Sequence, residues 1–328
     1  VTQPPVSVVV PVYNAARTIA ACIEAIGKQD YPSEVELVVV DNGCTDDSPA
    51  IVGQFAFARL VRCATRGPAA ARNAGIAATR HPIIALTDAD CIPAPGWLSA
   101  LVGAASPEIA GIGGRLESAN PGPVEDLVAA ISFNQRASLD SAMPYVITAN
   151  CLFRRDALAA VGGFDENFPI AGGEDTDLGW RMAAAGARFA YADAAVCRHN
   201  HPATRLDLVS QRMRYGYAMS LLWRKYQDSP LGPGLAAILP DWEVLCLTLA
   251  QKDGQTGPEK RLRALSQAAY FAGWLAGGGR RPDTGPARRD PAERRQIRRA
   301  SPEAALLCAG AAGAMVLTGR FRRIFRRG

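Results

Sequence analysis

The chain has 328 residues, 48% hydrophobic and 20% charged; this balance excludes intrinsic disorder and suits one large domain, or one domain with an extension. Its 31 glycines and 23 prolines follow no period, which excludes collagen-like and repeat architectures. The net charge of +5 is uneven: residues 280–328 hold 13 arginines against 4 acids, a net of +9, and leave the first 279 residues at −4, so an acidic body and a basic tail are read separately.

The first half alternates strand and helix patterns. Val6–Val12 is a β-branched run of strand length, and Arg17–Gln29 carries Ile19, Cys22, Ile23 and Ile26 at helical spacing. Val35–Val40 is a second strand, closed by the turn signal Asp41-Asn42-Gly43. Asp46, Asp47 and Ser48 can cap a helix reaching about Phe57. Arg59–Arg62 is a third strand, Pro68–Thr79 an alanine-rich helix with proline in its first turn, and Pro82–Leu86 a fourth strand running into Asp88-Ala89-Asp90. Further on, 126–139 is expected to be helical, Tyr145–Phe153 a strand, Gly162-Gly163 a turn, Glu174–Ala185 a helix, Arg188–Val196 a strand and Leu206–Lys225 a helix.

This order predicts βαβ units and a mostly parallel sheet covered on both faces. Ligands of such sheets bind beyond the carboxyl ends of the strands. Asn14, Asp41 and the Asp88/Asp90 pair all emerge at that edge. Taken alone, the two carboxylates of Asp88-Ala89-Asp90 are either a solvated turn or the oxygen ligands of a hard dication. Dinucleotide and phosphate-loop chemistry are excluded: no GxGxxG follows the first strand, and Gly27-Lys28 lacks both the upstream glycine and the following hydroxyl residue.

Eight cysteines contain no CxxC pair, which argues against a zinc cluster or a disulfide framework and predicts reduced, packed thiols in a cytoplasmic protein. No charged stretch followed by an apolar run opens the chain, so no signal peptide is expected.

Six motifs then occur in one order: VSVVVPVYNA, VVVDNGCTDDS, ARNAGI, LTDADCIP, GGEDTDLGWR and HNHP. Over residues 5–225 the chain resembles the family 2 glycosyltransferases, an inverting group with the GT-A nucleotide-sugar-binding fold. The resemblance implies a GT-A domain over 1–205 and a helical, basic extension over 206–328. It implies transfer of a sugar from a nucleotide-diphosphate donor, UDP being weakly favoured, to a hydroxyl of a glycan or lipid-linked acceptor, with inversion and with Mg²⁺ or Mn²⁺ on the diphosphate. The donor would meet Pro11, Tyr13, Asn14, Asp41, Arg72, Asp88 and Arg214. Asp90 and Asp88 would hold the metal, with His199 or His201 beside them. Asp175 would be the general base, next to Glu174, while Asp177 would face solvent or an arginine.

The residue types suit this chemistry. A diphosphate leaving group gathers negative charge, which a hard dication offsets, and single displacement needs one base and no carboxylate nucleophile. Arg212 or Arg214 would close over the diphosphate, where a guanidinium matches phosphate oxygens; simpler roles stand beside these: Asp41 as a turn residue, Arg72 as a solvated side chain, Arg212 or Arg214 as part of an exposed helix face. Gln211-Arg212-Met213-Arg214-Tyr215 departs from the QxxRW of processive members, which puts processive synthesis in doubt.

Neither Leu235–Ala250, broken by Pro240, Asp241 and Glu243, nor the 16 uncharged residues Ala304–Gly319 reads as a membrane span. The arginine-rich 320–327 stretch suits an anionic membrane surface better than nucleic acid. The expectation is a cytoplasmic protein, peripheral at the inner face of the cell membrane. The competing class is a non-catalytic, membrane-associated scaffold that keeps the fold.

Overall fold

The computed structural model describes residues 3–231, 257–278 and 300–312. Its centre is an eight-stranded sheet. In chain order the strands are β1 (Val6–Val12), β2 (Val35–Asp41), β3 (Ala58–Arg62), β4 (Ile83–Thr87), β5 (Cys91–Pro93), β6 (Ile109–Ser118), β7 (Asn150–Arg154) and β8 (Arg188–His199). They lie side by side as β3-β2-β1-β4-β7-β6-β8-β5. β1 pairs in parallel with β2 and β4, and β2 with β3. β7 runs antiparallel to both β4 and β6, β6 and β8 are parallel, and β5 closes the far edge antiparallel to β8. The sheet is thus parallel throughout its N-terminal half and mixed beyond it.

Apolar side chains on both strand faces explain why β1 sits inside. Val6, Val8, Val10 and Val12 join one cluster with Ile19, Ile23 and Ile26 of α1 (Ile19–Gly27). Val9 joins the opposite cluster with Ala69 and Ala71 of α3 (Pro68–Ala78). Period-two side-chain alternation sends neighbours to opposite layers.

Several expected elements differ in extent. The helix after Asp47, α2 (Ser48–Val52), stops at Gly53, well short of Phe57. The 126–139 segment is two helices, α5 (Pro123–Ser132) and α6 (Gln135–Leu139). Asn134 separates them, because its side chain accepts from the Ala137 amide and caps a new start. Tyr145–Ala149 precedes the strand that begins at Asn150. Not anticipated were β5, β6, α4 (Trp97–Gly103) and α7 (Arg155–Ala160).

α8 (Glu174–Ala184), α9 (Arg205–Tyr226) and α10 (Gly257–Ala276) complete the described helices together with a helical segment over 300–312. α9 and α10 touch backbone to backbone: a Cβ at Gly216 would run into the Tyr270 carbonyl, and one at Gly273 into the Met213 carbonyl. Leu208 of α9 and Leu262 of α10 share a cluster with Val124, Val128 and Ile147, so these helices pack onto the sheet side of the molecule. The C-terminal end of α9 is tied to α8 through Asp177. That carboxylate is fully buried; it accepts from Arg181 Nε at 2.8 Å, from the Tyr226 hydroxyl at 2.7 Å and from Lys225. Asp177 therefore meets the expected arginine and no solvent.

Among the described residues no helix is long and apolar enough to cross a membrane. The 235–250 stretch and the 320–327 arginines lie outside the described residues, as does the end of 304–319.

Candidate active site

A cleft of about 1350 Å³ opens at the carboxyl ends of β1 and β4, between α3, α8, α9 and α10. Pro11, Tyr13, Asn14, Arg72, Asp88, Asp90, Glu174, Asp175, His199 and Arg214 all line it. Asp41 and His201 do not.

The loops after β1 and β2 are laced together. Asn14 holds a left-handed backbone, φ 51°, rare for a residue with a side chain. Its Oδ1 accepts from the Thr45 amide at 2.8 Å, and its own amide points at Cys44 Sγ. Asp46 Oδ2 accepts from the Ala16 amide at 3.0 Å. Asp41 turns inward: Oδ1 accepts from the Gly43 and Cys44 amides at 3.1 and 2.8 Å, and Oδ2 lies 3.9 Å from Arg62 Nε. The neighbouring Asn42 faces the cleft, accepting from the Gly67 amide and donating to the Thr65 carbonyl. Tyr13 is exposed over the mouth and accepts from Arg66 Nη1 at 2.9 Å. Arg66 and Asn42 escaped the sequence reading, since a loop arginine and a loop asparagine carry no pattern.

Arg72 is the hub of the floor and is no solvated side chain, being 4% exposed. Nη1 donates to Glu174 Oε1 and Nη2 to Asp88 Oδ1, each at 2.8 Å. Two ion pairs in a buried site hold the guanidinium charge more firmly than in water. Glu174 is committed twice, since Oε2 also accepts from the Gly172 amide at 2.7 Å. Gly172 and Gly173 have φ of 114° and 90°, which bends the chain sharply into α8 and leaves Glu174 and Asp175 at its first turn.

Asp175 has no cation of its own. Oδ1 accepts from the Thr176 amide at 2.8 Å. Burial, then the charge of Glu174, push its carboxyl up to about 7, against the opposing pull of Arg72. A carboxylate poised near neutrality is what a general base requires.

A strand would put residues two apart on one face; the pair Asp88 and Asp90 lies instead in the turn after β4, closed by a Cys91 amide to Asp88 carbonyl bond of 3.0 Å, and both still reach the cleft. Asn200 clamps that turn, donating from its amide and its side chain to the Asp90 carbonyl. Across from it, His199 Nε2 lies 3.4 Å from Asp90 Oδ1. Asp90, Cys91 and His199 place ligand atoms within 4.8 Å of one another. Burial holds the Cys91 thiol well above its usual range, so the ready donors are carboxylate and imidazole. Asp90, Asp88 beside it and His199 fit a hard or borderline dication such as Mg²⁺ or Mn²⁺. His201 stands behind, stacked on His199 with ring centroids 4.6 Å apart; Phe133 packs against both rings. Burial, then His199, pull the His201 pKa down to about 4, the behaviour of a neutral packing ring.

The family now follows from sequence likeness as well as geometry. The Glycosyl transferase family 2 pattern matches residues 7–162, and a second pattern, described as the N-terminal domain of galactosyltransferase, matches 131–205. Glycosyltransferase AglE of Haloferax volcanii is 33% identical over 68% of this chain and 75% of its own length. The pre-mycofactocin glycosyltransferase of Mycobacterium tuberculosis is also 33% identical, over 68% of this chain, and the chain spans about half, 48%, of that relative. Among solved structures, the Pyrobaculum calidifontis mannosyltransferase PcManGT, in complex with GDP-Man and Mn²⁺, superposes with a TM-score of 0.59 at 23% identity, covering 84% of this chain and 87% of that one. The fold is the GT-A fold, and the chain belongs to glycosyltransferase family 2.

Proposed function

We propose that this chain transfers a sugar from a nucleotide-diphosphate donor to an acceptor hydroxyl with inversion, and that the reaction depends on a divalent cation. The observation that carries the reading is Asp175: a carboxyl held near neutrality on the floor of a cleft, beside Glu174 and Asp88, which are both tied to Arg72. The loops after β1 and β2 supply a wall for the nucleoside. Asp90, Asp88 and His199 would hold the cation, which supplies charge compensation for the leaving diphosphate. PcManGT, a protein of the same fold, binds GDP-Man and Mn²⁺, which agrees with that use of the cleft.

Each side chain then has a task. Asp175 accepts the proton of the attacking hydroxyl as the new glycosidic bond forms. Arg72 keeps Asp88 and Glu174 fixed on either side by ion pairs, while Asp175 is left to meet the acceptor hydroxyl. Arg214, whose Nε is buried without a partner, offers a guanidinium to the phosphate oxygens. Glycan and lipid-linked hydroxyls are the acceptor classes under this reading.

The test is Asp175→Asn. Transfer should fall by about 10³-fold, within the range general-base catalysis supplies, while calorimetry with UDP or GDP and Mn²⁺ gives wild-type affinity. Near-normal turnover in that variant would reject Asp175 as the base.

A further inference from the structure

Both family patterns stop at or before the first residue of α9, yet much of the cleft is built beyond it. Arg212 lines this far wall. Its Nη1 donates to Ser132 Oγ of α5 at 3.1 Å, and its guanidinium lies 4.7 Å from the centre of the Tyr270 ring of α10. Its Nε is buried and has no partner. Among the described residues no carboxylate bears on it: the ionisable groups that do are the Tyr270 and Tyr215 hydroxyls, and burial draws its pKa down. A desolvated cation without a counter-charge is costly in any protein interior.

Arg214 lies only two positions on, but side chains two apart leave a helix about 200° from one another. The charge of Arg214 reaches Asp90, on the cation side. Arg212 faces α5 and α10, beside the close contact at Gly216. A diphosphate held by Arg214 would therefore leave Arg212 unsatisfied. Two amides accompany it. Gln211 is 5% exposed and lines the cleft with Oε1 unpartnered, and Gln267 of α10 does the same from the opposite helix.

We infer that α5, α9 and α10 form a subsite for an oxyanion carried by the acceptor, with Arg212 as its receptor. Nη1 is taken by Ser132, so the Nε–Nη2 edge is left, and that edge matches two coplanar oxygens of a carboxylate or a phosphate. Gln211 and Gln267 bind hydroxyls next to the anion. The inference rests on the glycosyltransferase reading and names the acceptor class: an acidic sugar or a phosphorylated polyol, in place of a neutral glycan.

The experiment uses the full chain and three probes, methyl β-glucuronide, glycerol 3-phosphate and methyl β-glucoside, titrated by saturation-transfer NMR with and without UDP and Mn²⁺. At least one anionic probe should bind tenfold or more tightly than the neutral glucoside, and the stronger of the two identifies the source of the oxyanion. Arg212→Gln should erase that advantage and leave UDP affinity within twofold. Arg212→Lys, which keeps the charge and loses the fork, should keep part of it; it serves as the second variant if the glutamine protein melts low. Equal binding of neutral and anionic probes, an anion preference that survives Arg212→Gln, or loss of UDP affinity in that variant would each overturn the assignment. Failure of the wild-type chain to bind any nucleotide would instead sink the glycosyltransferase reading, and the probe titrations without nucleotide keep the two failures apart.

Discussion

The two walls of the cleft differ in how far their polar groups are met within the protein. On the wall from β1, β2, β4 and α3, most polar groups are paired with protein: Asn14 with Thr45, Asn42 with Gly67, and Arg72 with two carboxylates through its Nη atoms, its Nε alone being left unmet. On the wall from α9 and α10, Gln211, Arg212, Arg214 and Gln267 each keep a buried polar atom without a partner. A prepaired wall presents fixed dipoles and loses little order on binding, which suits a ligand common to a whole family. Unpaired groups favour only the ligand that completes them, and reject others by leaving those groups buried and unmet. The difference implies that donor binding and acceptor choice can be altered separately.

Replacing Asp88 tests the prepaired wall most severely. Asp88→Asn removes the charge that faces Arg72 and a carboxylate at the proposed cation site, and transfer should drop by about 10³-fold, as when a preorganised charge is deleted from other active sites; initial rates at saturating Mn²⁺ measure it. Removal of divalent cations with EDTA should abolish turnover, and transfer that survives would exclude a role for metal. On the other wall, Gly216→Val forces α9 off the Tyr270 carbonyl, at a cost of about 3 kcal/mol for overpacking. Urea melts should show that loss while UDP titration stays within a few-fold of wild type; a parallel fall in nucleotide affinity would mean the walls are not independent.

The pH dependence is a smaller effect with a fixed sign. The base must be ionised, and burial favours its neutral form, so kcat/KM should fall tenfold per unit below about pH 7 and level off above it. Stability runs the other way: the folded protein keeps the Asp175 proton up to about 7, while an unfolded chain releases it near 3.8, so this group's contribution declines as pH rises between those values. Asp175→Asn should flatten both slopes. The smallest effect belongs to Asp41→Asn. The substitution keeps the oxygen that accepts the loop amides and loses a charge that faces a mostly exposed arginine, worth about 0.5 kcal/mol. A threefold change in UDP affinity or less is expected, and a tenfold loss would restore the direct donor contact that the family resemblance implied.

That case shows where sequence reading stops. β1 could be read from its uninterrupted valines, and α1 from the spacing of Ile19, Cys22, Ile23 and Ile26, because burial on a strand or helix dictates period. β6, Ile-Ala-Gly-Ile-Gly-Gly-Arg-Leu-Glu-Ser, has three glycines and no alternation, and β5 is three residues long; both are strands because neighbours pair with them. At the site, residue types and order pointed to Asp88, Asp90 and Asp175, all of which line the cleft. Which way a side chain turns was not legible. Asp41 faces its own loop, and His199 meets Asp90 while His201, with the same flanking pattern, packs behind it. Arg212 was legible only as a companion of Arg214 in the Gln211–Tyr215 motif, since its isolation arises only when α5 and α10 close around it.

The pairing of β7 with β4 has a consequence in time. β4 is the last strand of the parallel half, and its outer edge is covered by Asn150–Arg154, more than sixty residues later in the chain. During synthesis, every group of the nucleoside wall exists before that cover does. An open, apolar strand edge invites pairing with other chains. Truncations that end before Asn150 should therefore aggregate, however complete the loops after β1 and β2 already are.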